Sequence, residues 1–371
     1  MDYKLNEMQK KIYSGIRNFA DEILNIEEDF YKKWKHCADC GVFASMIPNR
    51  VGGLAENFSD ILLIAKMIGE LFRDSGFVFA INNNMIVASY LLPTFASEVI
   101  IKDVYPGLID GSLIASYAVT EPQSGSDVYN MLTKITRDGD TIEINGSKTY
   151  ISNGPIANIF VVVGKNEENS YTAVLVKSTD TGVEVGGEIK KMGLEKCPMS
   201  EVFFSECIIP KERVIGTFSH GQTICNMTLD WERSLSFSSH LGTMTRIMNS
   251  CIKYVNERRQ FGKTIGSFQL VSEKIARMKV SIELGELLLY KICDMKNNGK
   301  KTFLESAIFK YYIGENYTNC SLEAMQIYGA YGYCEEGGIE KEVRDALAAK
   351  IYSGTSEIQL DIISRMIGIK K

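Results

Sequence analysis

The sequence predicts an α+β fold built in three consecutive blocks: helical, then β, then helical again. Three observations predict it. From about residue 5 to 110, apolar residues recur at helical steps of three and four. From about 113 to 225 the pattern changes to short β-like runs divided by turns. From about 226 onward long helical patterns return, Leu229 to Glu257 and Gln269 to Lys296 each crossing many turns without proline. At 371 residues the chain exceeds one core's usual size, and the switches in periodicity divide it into domains at 1–112, 113–225 and 226–371.

The first helix is expected from Leu5, Met8, Ile12, Ile16, Phe19 and Ile23, spaced at three and four among Lys10, Lys11, Arg17 and Asp21. That interruption by charge makes it an amphipathic core helix rather than a cleavable signal. A second stands at Ser59 to Phe72, after a loop over Pro48 to Gly53. In the β-block, Asp138-Gly-Asp140 is a hairpin signal between Thr133–Arg137 and Thr141–Ile144, and Asn145-Gly146 marks the next turn. Phe160–Val163, Tyr171–Val176 and Val202–Phe204 are further strands. Lys370-Lys371 is expected to be a frayed end.

Composition narrows the function classes. A charge of −5 argues against nucleic acid as a partner. No apolar run reaches the roughly 18 residues that cross a bilayer, so no membrane association is expected. Nine cysteines, an odd number without a secretory signal, imply free thiols in a reducing cytoplasm. The lone Cys37-Ala-Asp-Cys40 has no second pair nearby and lies among Trp34, Val42 and Phe43, which makes it a pair of buried helix thiols; no metal is expected.

Four segments carry chemistry. Tyr117-Ala-Val-Thr-Glu-Pro-Gln-Ser-Gly-Ser-Asp127 ends an apolar run in a loop where Gly125 stands between two serines, suited to a phosphate anion. The others are Tyr150-Ile-Ser-Asn-Gly154, Arg258-Arg-Gln-Phe-Gly-Lys263 with Gln269 beyond it, and Gln326-Ile-Tyr-Gly-Ala-Tyr-Gly332. With Ile351-Tyr-Ser-Gly-Thr-Ser-Glu-Ile-Gln359, they resemble the acyl-CoA dehydrogenase family over nearly the whole chain. That resemblance implies a helical N-terminal domain, a barrel-like middle β-domain and a C-terminal four-helix bundle binding FAD. It places Val119 and Thr120 near the flavin ring, Tyr150 over one ring face, Ser152 at the ring edge and Ser126 at the pyrophosphate, with Tyr117 and Gly125 in the same cofactor site. Thr355 and Glu357 become flavin-packing residues. Arg258, Gln260, Phe261 and Gln269, with Gln326 and Gly329 near the adenosine end, would serve a neighbouring subunit's flavin, so a dimer or tetramer is implied. Ala330 replaces the usual second glycine there.

The family's chemistry needs a base for the α-proton of a thioester while a β-hydride passes to flavin N5. Most members keep a glutamate just before the Gly-Thr; here that position is Ser353. Its backbone N–H is retained for the oxyanion role, but nothing beside its hydroxyl takes a proton. Glu232 in Leu229-Asp-Trp-Glu-Arg233 stands where a minority of the family keeps the base. An ordinary first-turn glutamate favoured by the helix dipole is the alternative. Trp231, Arg233, Tyr352 and Gly354 fall around the substrate, Trp231 shortening the acyl pocket unless it is core packing.

Short matches at Ser126–Met131, Cys197–Glu201, Trp231–Glu232 and Tyr352–Thr355 resemble one subgroup in particular. It comprises the prolyl or aminoacyl carrier-protein dehydrogenases of nonribosomal peptide and polyketide biosynthesis. The resemblance implies a small acyl or aminoacyl thioester on a phosphopantetheine-bearing acyl or peptidyl carrier protein, with an electron-transferring flavoprotein or O₂ as acceptor. Lys190, Lys191 and Lys211 are candidates to meet an acidic carrier domain. Short- or branched-chain acyl-CoA catabolism, an inactive flavoprotein subunit and an oxidase remain alternatives.

Overall fold

The computed structural model describes residues 7–20 and 29–369. Leu5 and Ile23 of the first helix, and Lys370-Lys371, lie outside the described residues. The N-terminal helices are α1 (Glu7–Phe19), α2 (Phe30–Asp39), α3 (Val42–Met46), α4 (Phe58–Leu71), α5 (Ser75–Ile86), α6 (Leu92–Phe95) and α7 (Glu98–Asp110). A capping box starts α4: Asn57 Oδ1 accepts from Asp60 N at 3.1 Å, and Asp60 Oδ2 accepts from Asn57 N at 3.2 Å. Between α5 and α6 the chain makes one wide π turn over Val87–Leu91. Ser75–Phe95 is apolar and long enough to cross a membrane by composition, yet 89% of its most apolar window is buried in the protein. Cys37 is buried on α2 and Cys40 half-buried at its end, both reduced.

The middle block runs β1 (Ala115–Ala118), β2 (Lys134–Asp138), β3 (Thr141–Ser152), β4 (Ile159–Lys165), β5 (Tyr171–Lys177), β6 (Val183–Val185), β7 (Met199–Pro210) and β8 (Val214–Ile215). The sheet path is β6-β7-β3-β2-β4-β5-β8, with β1 parallel to β4. It buries both faces. Phe160 and Val162 of β4 join a core inside the β-domain, while Val161 and Val163 pack into the helical core. Asn145-Gly146, expected to turn, is instead a bulge inside β3. Lys134 pairs with Asn145 and Phe204 with Gly146, so ladder partners on both sides carry the strand through.

The C-terminal helices are α8 (Gly221–Glu257), α9 (Gln269–Asn297), α10 (Phe303–Tyr328), α11 (Ala330–Tyr333), α12 (Ile339–Ala348) and α13 (Ser356–Met366). Helix α4 packs along α8 at backbone contact: a Cβ on Gly69 would lie 1.9 Å from Ser239 O, and one on Gly242 1.9 Å from Lys66 O. Helix α8 begins at Gly221, eight residues before Leu229. Glu232 therefore sits well inside the helix, and the reading of it as a dipole-favoured first-turn glutamate falls.

Candidate active site

Glu232 and Ser353, 121 positions apart in sequence, meet between α8 and the turn joining α12 to α13. Ser353 Oγ, expected to have no acceptor beside it, donates to Glu232 Oε1 at 2.5 Å, a partner that only the fold brings near. The turn is held from three sides. Arg233 Nε donates to Ser353 O at 3.1 Å, and Gln359 Nε2 on α13 donates to Ser353 O at 3.1 Å and Gly354 O at 2.8 Å. Lys310 Nζ on α10 donates to Lys350 O at 3.3 Å. These contacts keep Ser353 in the left-handed region, φ 57°, which is unfavourable for a residue with a Cβ. Gly354 follows at φ 84°, and a Cβ there would lie 2.8 Å from Gln359 Nε2. With its carbonyl taken twice, Ser353 has its N–H unspent: among the described residues nothing accepts from it. Thr355 caps α13, accepting from Ile358 N at 3.4 Å.

The electrostatics suit a base. Burial raises the Glu232 pKa above the ordinary carboxylate value, and the Ser353 hydroxyl, Arg233 and Lys310 offset that only in part. Burial, then the nearby Arg233, pushes Lys310 down to about 8. Tyr352 shares a hydrogen bond with His240 Nε2 and lies against Phe79 with ring centroids 4.5 Å apart. Burial and the Lys310 charge push His240 down to about 3, so that imidazole is neutral.

The flavin-type strip forms on the edge of the β-domain. Val119 and Thr120 leave β1, and their carbonyls are both fixed: Lys148 Nζ donates to Val119 O at 3.0 Å, and Thr149 N to Thr120 O at 2.9 Å. The wholly buried Lys148 ammonium also bonds Glu121 Oε1 at 2.7 Å. Glu121 in turn accepts from Leu132 N at 2.5 Å, Thr133 N at 3.0 Å and Gln123 Nε2 at 2.7 Å. Burial pushes Glu121 up, but Lys148 and these donors outweigh it and hold its carboxyl at about 2. Beyond this anchor, Gly125 and Ser126 stand exposed at the loop tip, and Cβ space at Gly125 is open. Tyr150 is 62% exposed at φ 56°, Ser152 half-buried, and the Tyr117 hydroxyl is buried without a partner. A strip of backbone, hydroxyls and one open aromatic face fits an elongated cofactor such as FAD.

Other expected residues lie elsewhere. Arg258, Gln260, Phe261 (91% exposed), Gln269, Gln326, Gly329 and Glu357 are on the outer surface, and this chain alone does not bring them to Glu232. Trp231 is core: fully buried, it stacks on Tyr90 at 5.2 Å and donates from Nε1 to Ser89 Oγ at 3.0 Å. It sits one step around α8 from Glu232 and packs the helices together, the core-packing alternative. Lys211 is spent on Asp140, whereas Lys190 is exposed and Lys191 half-buried. Cys197 is buried against Asn153, and Glu195 pairs with Arg344 at 2.6 Å, tying that wall to α12.

Sequence reasoning passed over Lys148, Gln359 and Lys310. A lysine inside a β-run reads as solvated, and only Glu121 on the far side of the loop explains its burial. Gln359 carried a signal, standing six residues after Ser353 in the same motif.

Residues 219–368 match the acyl-CoA dehydrogenase C-terminal domain, and residues 116–207 the acyl-CoA dehydrogenase middle domain. The chain is 32% identical to an L-prolyl-[peptidyl-carrier protein] dehydrogenase of Pseudomonas fluorescens, over 98% of this chain and 99% of that one. Among solved structures it is similar to the prolyl acyl carrier protein oxidase AnaB, with TM-score 0.94 and 33% identity, covering 99% of this chain and 100% of that one. It is also similar to PigA in complex with FAD, with TM-score 0.93 and 30% identity, covering 99% of each chain.

Proposed function

This chain belongs to the acyl-CoA dehydrogenase family, and from that premise we propose that it is an FAD-dependent dehydrogenase of a small acyl or aminoacyl thioester carried on a carrier protein, with Glu232 as the base. The observation that carries this reading is the 2.5 Å contact between the Ser353 hydroxyl and the half-buried Glu232 carboxylate. It puts a carboxylate beside the position the family's usual base would fill. Similarity to prolyl carrier-protein enzymes over 98% of the chain supports the carrier-bound substrate and a place in secondary-metabolite biosynthesis.

FAD, when bound, supplies the acceptor for the β-hydride. The strip Tyr117–Thr120, Ser126, Tyr150 and Ser152 would hold it. Glu232 takes the α-proton on Oε2, since Oε1 is occupied by Ser353 Oγ. The Ser353 N–H, aimed by the grip of Arg233 and Gln359 on its carbonyl, meets the thioester oxygen as negative charge grows there. Ser353 Oγ donates to the carboxylate before proton transfer, keeping it ionised. Exposed Arg258, Gln260, Phe261 and Gln269 are proposed to reach the cofactor of a second copy in a dimer or tetramer, with an electron-transferring flavoprotein or O₂ as electron acceptor.

Glu232→Gln tests the base. The variant should keep its FAD, with a yellow spectrum like the parent's, and lose anaerobic bleaching by substrate by about 10³-fold or more. Bleaching within tenfold of the parent would remove Glu232 from this role.

A further inference from the structure

We propose that Lys310 is a positioning residue for the reaction: a buried cation that grips the turn carrying Ser353 and favours the ionised form of Glu232. Loss of its proton switches the site off on the alkaline side. The inference rests on the reading of Glu232 as the base, and adds a residue that acts through it and through the turn.

Lys310 lies on α10 where that helix meets α8 and the turn between α12 and α13. One turn earlier on α10, Ser306 Oγ shares a hydrogen bond with Ser234 Oγ at 3.0 Å, so this face is packed at the level of Arg233 and Ser234. The Lys310 side chain is wholly buried. Its ammonium lies over the Phe237 ring, 5.4 Å from the centroid, and donates to Lys350 O at 3.3 Å. Among the described residues no carboxylate pairs with it. Glu315, five residues further along α10, is spent instead on Lys350 Nζ at 2.7 Å and Ser356 Oγ at 2.8 Å. A methionine would fill the same space without the cost of burying a charge, so what the lysine adds is that charge.

The charge acts at two places. It holds a carbonyl three residues before Ser353, whose own carbonyl is held by Arg233 and Gln359, so the turn is gripped at both ends. It also lowers the pKa of Glu232 and of His240 on α8, which puts it within electrostatic reach of the base. The charged and titratable groups that face it are Arg233, Glu232 and His240 on α8, Glu315 on its own helix, Lys350 on the turn and Glu357 on α13. Burial and the Arg233 charge outweigh the three carboxylates and leave the proton on Lys310 only up to about pH 8. Above that pH a neutral amine bonds Lys350 O weakly, and the turn that aims the Ser353 N–H loosens.

Two measurements test this on FAD-loaded enzyme. The first is hydrogen exchange of the segment spanning 350–355, corrected for intrinsic rates, which needs neither substrate nor Glu232. Protection in the parent should fall about tenfold between about pH 7 and about pH 9. It should stay level in Lys310→Arg, which keeps its charge, and be low throughout in Lys310→Met. Level protection in the parent overturns the proposal. The second is anaerobic bleaching against pH by prolyl, seryl and isobutyryl groups on a phosphopantetheinylated carrier protein. The parent's rate should fall again near pH 8. In Lys310→Met that alkaline fall should vanish, the acid limb should move to higher pH, and the best rate should drop about tenfold. Lys310→Arg should restore the acid limb and not the alkaline fall. FAD content and melting temperature identify a misfolded variant. An alkaline fall that survives in Lys310→Met, or an acid limb that stays in place there, overturns the proposal. Normal bleaching by Glu232→Gln ends the reading of that residue as the base, while the exchange experiment still judges Lys310.

Discussion

Lys148→Met should loosen the strand edge that presents Val119 and Thr120, although the residue touches neither solvent nor Glu232. Its ammonium is wholly buried between Glu121 Oε1 at 2.7 Å and Val119 O at 3.0 Å. Removing one member of a buried ion pair costs about 3–5 kcal/mol, because the other charge stays behind. Glu121 keeps three other donors after this change, so the lower end of about 3 kcal/mol is expected. Glu121→Gln leaves the buried ammonium without a counter-charge and turns an amide NH2 toward the Leu132 or Thr133 N–H, and should cost more. Thermal melts of the FAD-loaded variants, with released-flavin fluorescence as a second probe, measure both. Lys148→Met should melt about 4 °C lower, with flavin released ahead of the helical signal. The pH sign is fixed by the depressed pKa of Glu121. Its contribution is present above the ordinary value of 4.5 and is lost as pH falls toward about 2. Without Lys148 that acid loss should begin at higher pH. A Lys148→Met melt within 2 °C of the parent, or a milder effect from Glu121→Gln, would refute the reasoning.

Ser353→Ala removes a hydrogen bond that lowers the Glu232 pKa, so that carboxyl should titrate higher still; the rising limb of bleaching rate against pH should move to higher pH, with FAD content unchanged. Activity in the parent should itself fall with acid at a pH above the ordinary carboxylate range, since burial raises Glu232. Gly354→Ala puts a Cβ against Gln359 Nε2 at a φ of 84° and should lower the bleaching rate about 10²-fold or more, read in the same stopped-flow assay. Equal rates there would mean that the turn does not position the Ser353 N–H.

The helix–sheet–helix order was legible because periodicity changes from 3.6 to 2 and back, and each block is long. Glu232 became a candidate through an absence, a serine where a carboxylate was expected, and the fold sets it against that serine. The start of α8 was not, because His220 gives Gly221 no side-chain cap to mark it. Trp231 lands in the core because a sequence neighbour of Glu232 points about 100° around the helix from it. The Lys148–Glu121 anchor joins residues 27 positions apart, and only the folded chain brings them together. Asn145-Gly146 has a turn's chemistry, but strands on both sides hold it straight.

The measurement that bears most directly on the whole account is anaerobic bleaching of the bound flavin by a panel of small acyl groups. Prolyl, seryl, glyceryl and short branched groups would each be offered on a phosphopantetheinylated carrier protein and as the CoA thioester. The account predicts bleaching by a carrier-bound member and little by its CoA form. Efficient bleaching by a free short-chain acyl-CoA, with carrier-bound groups inert, would contradict it.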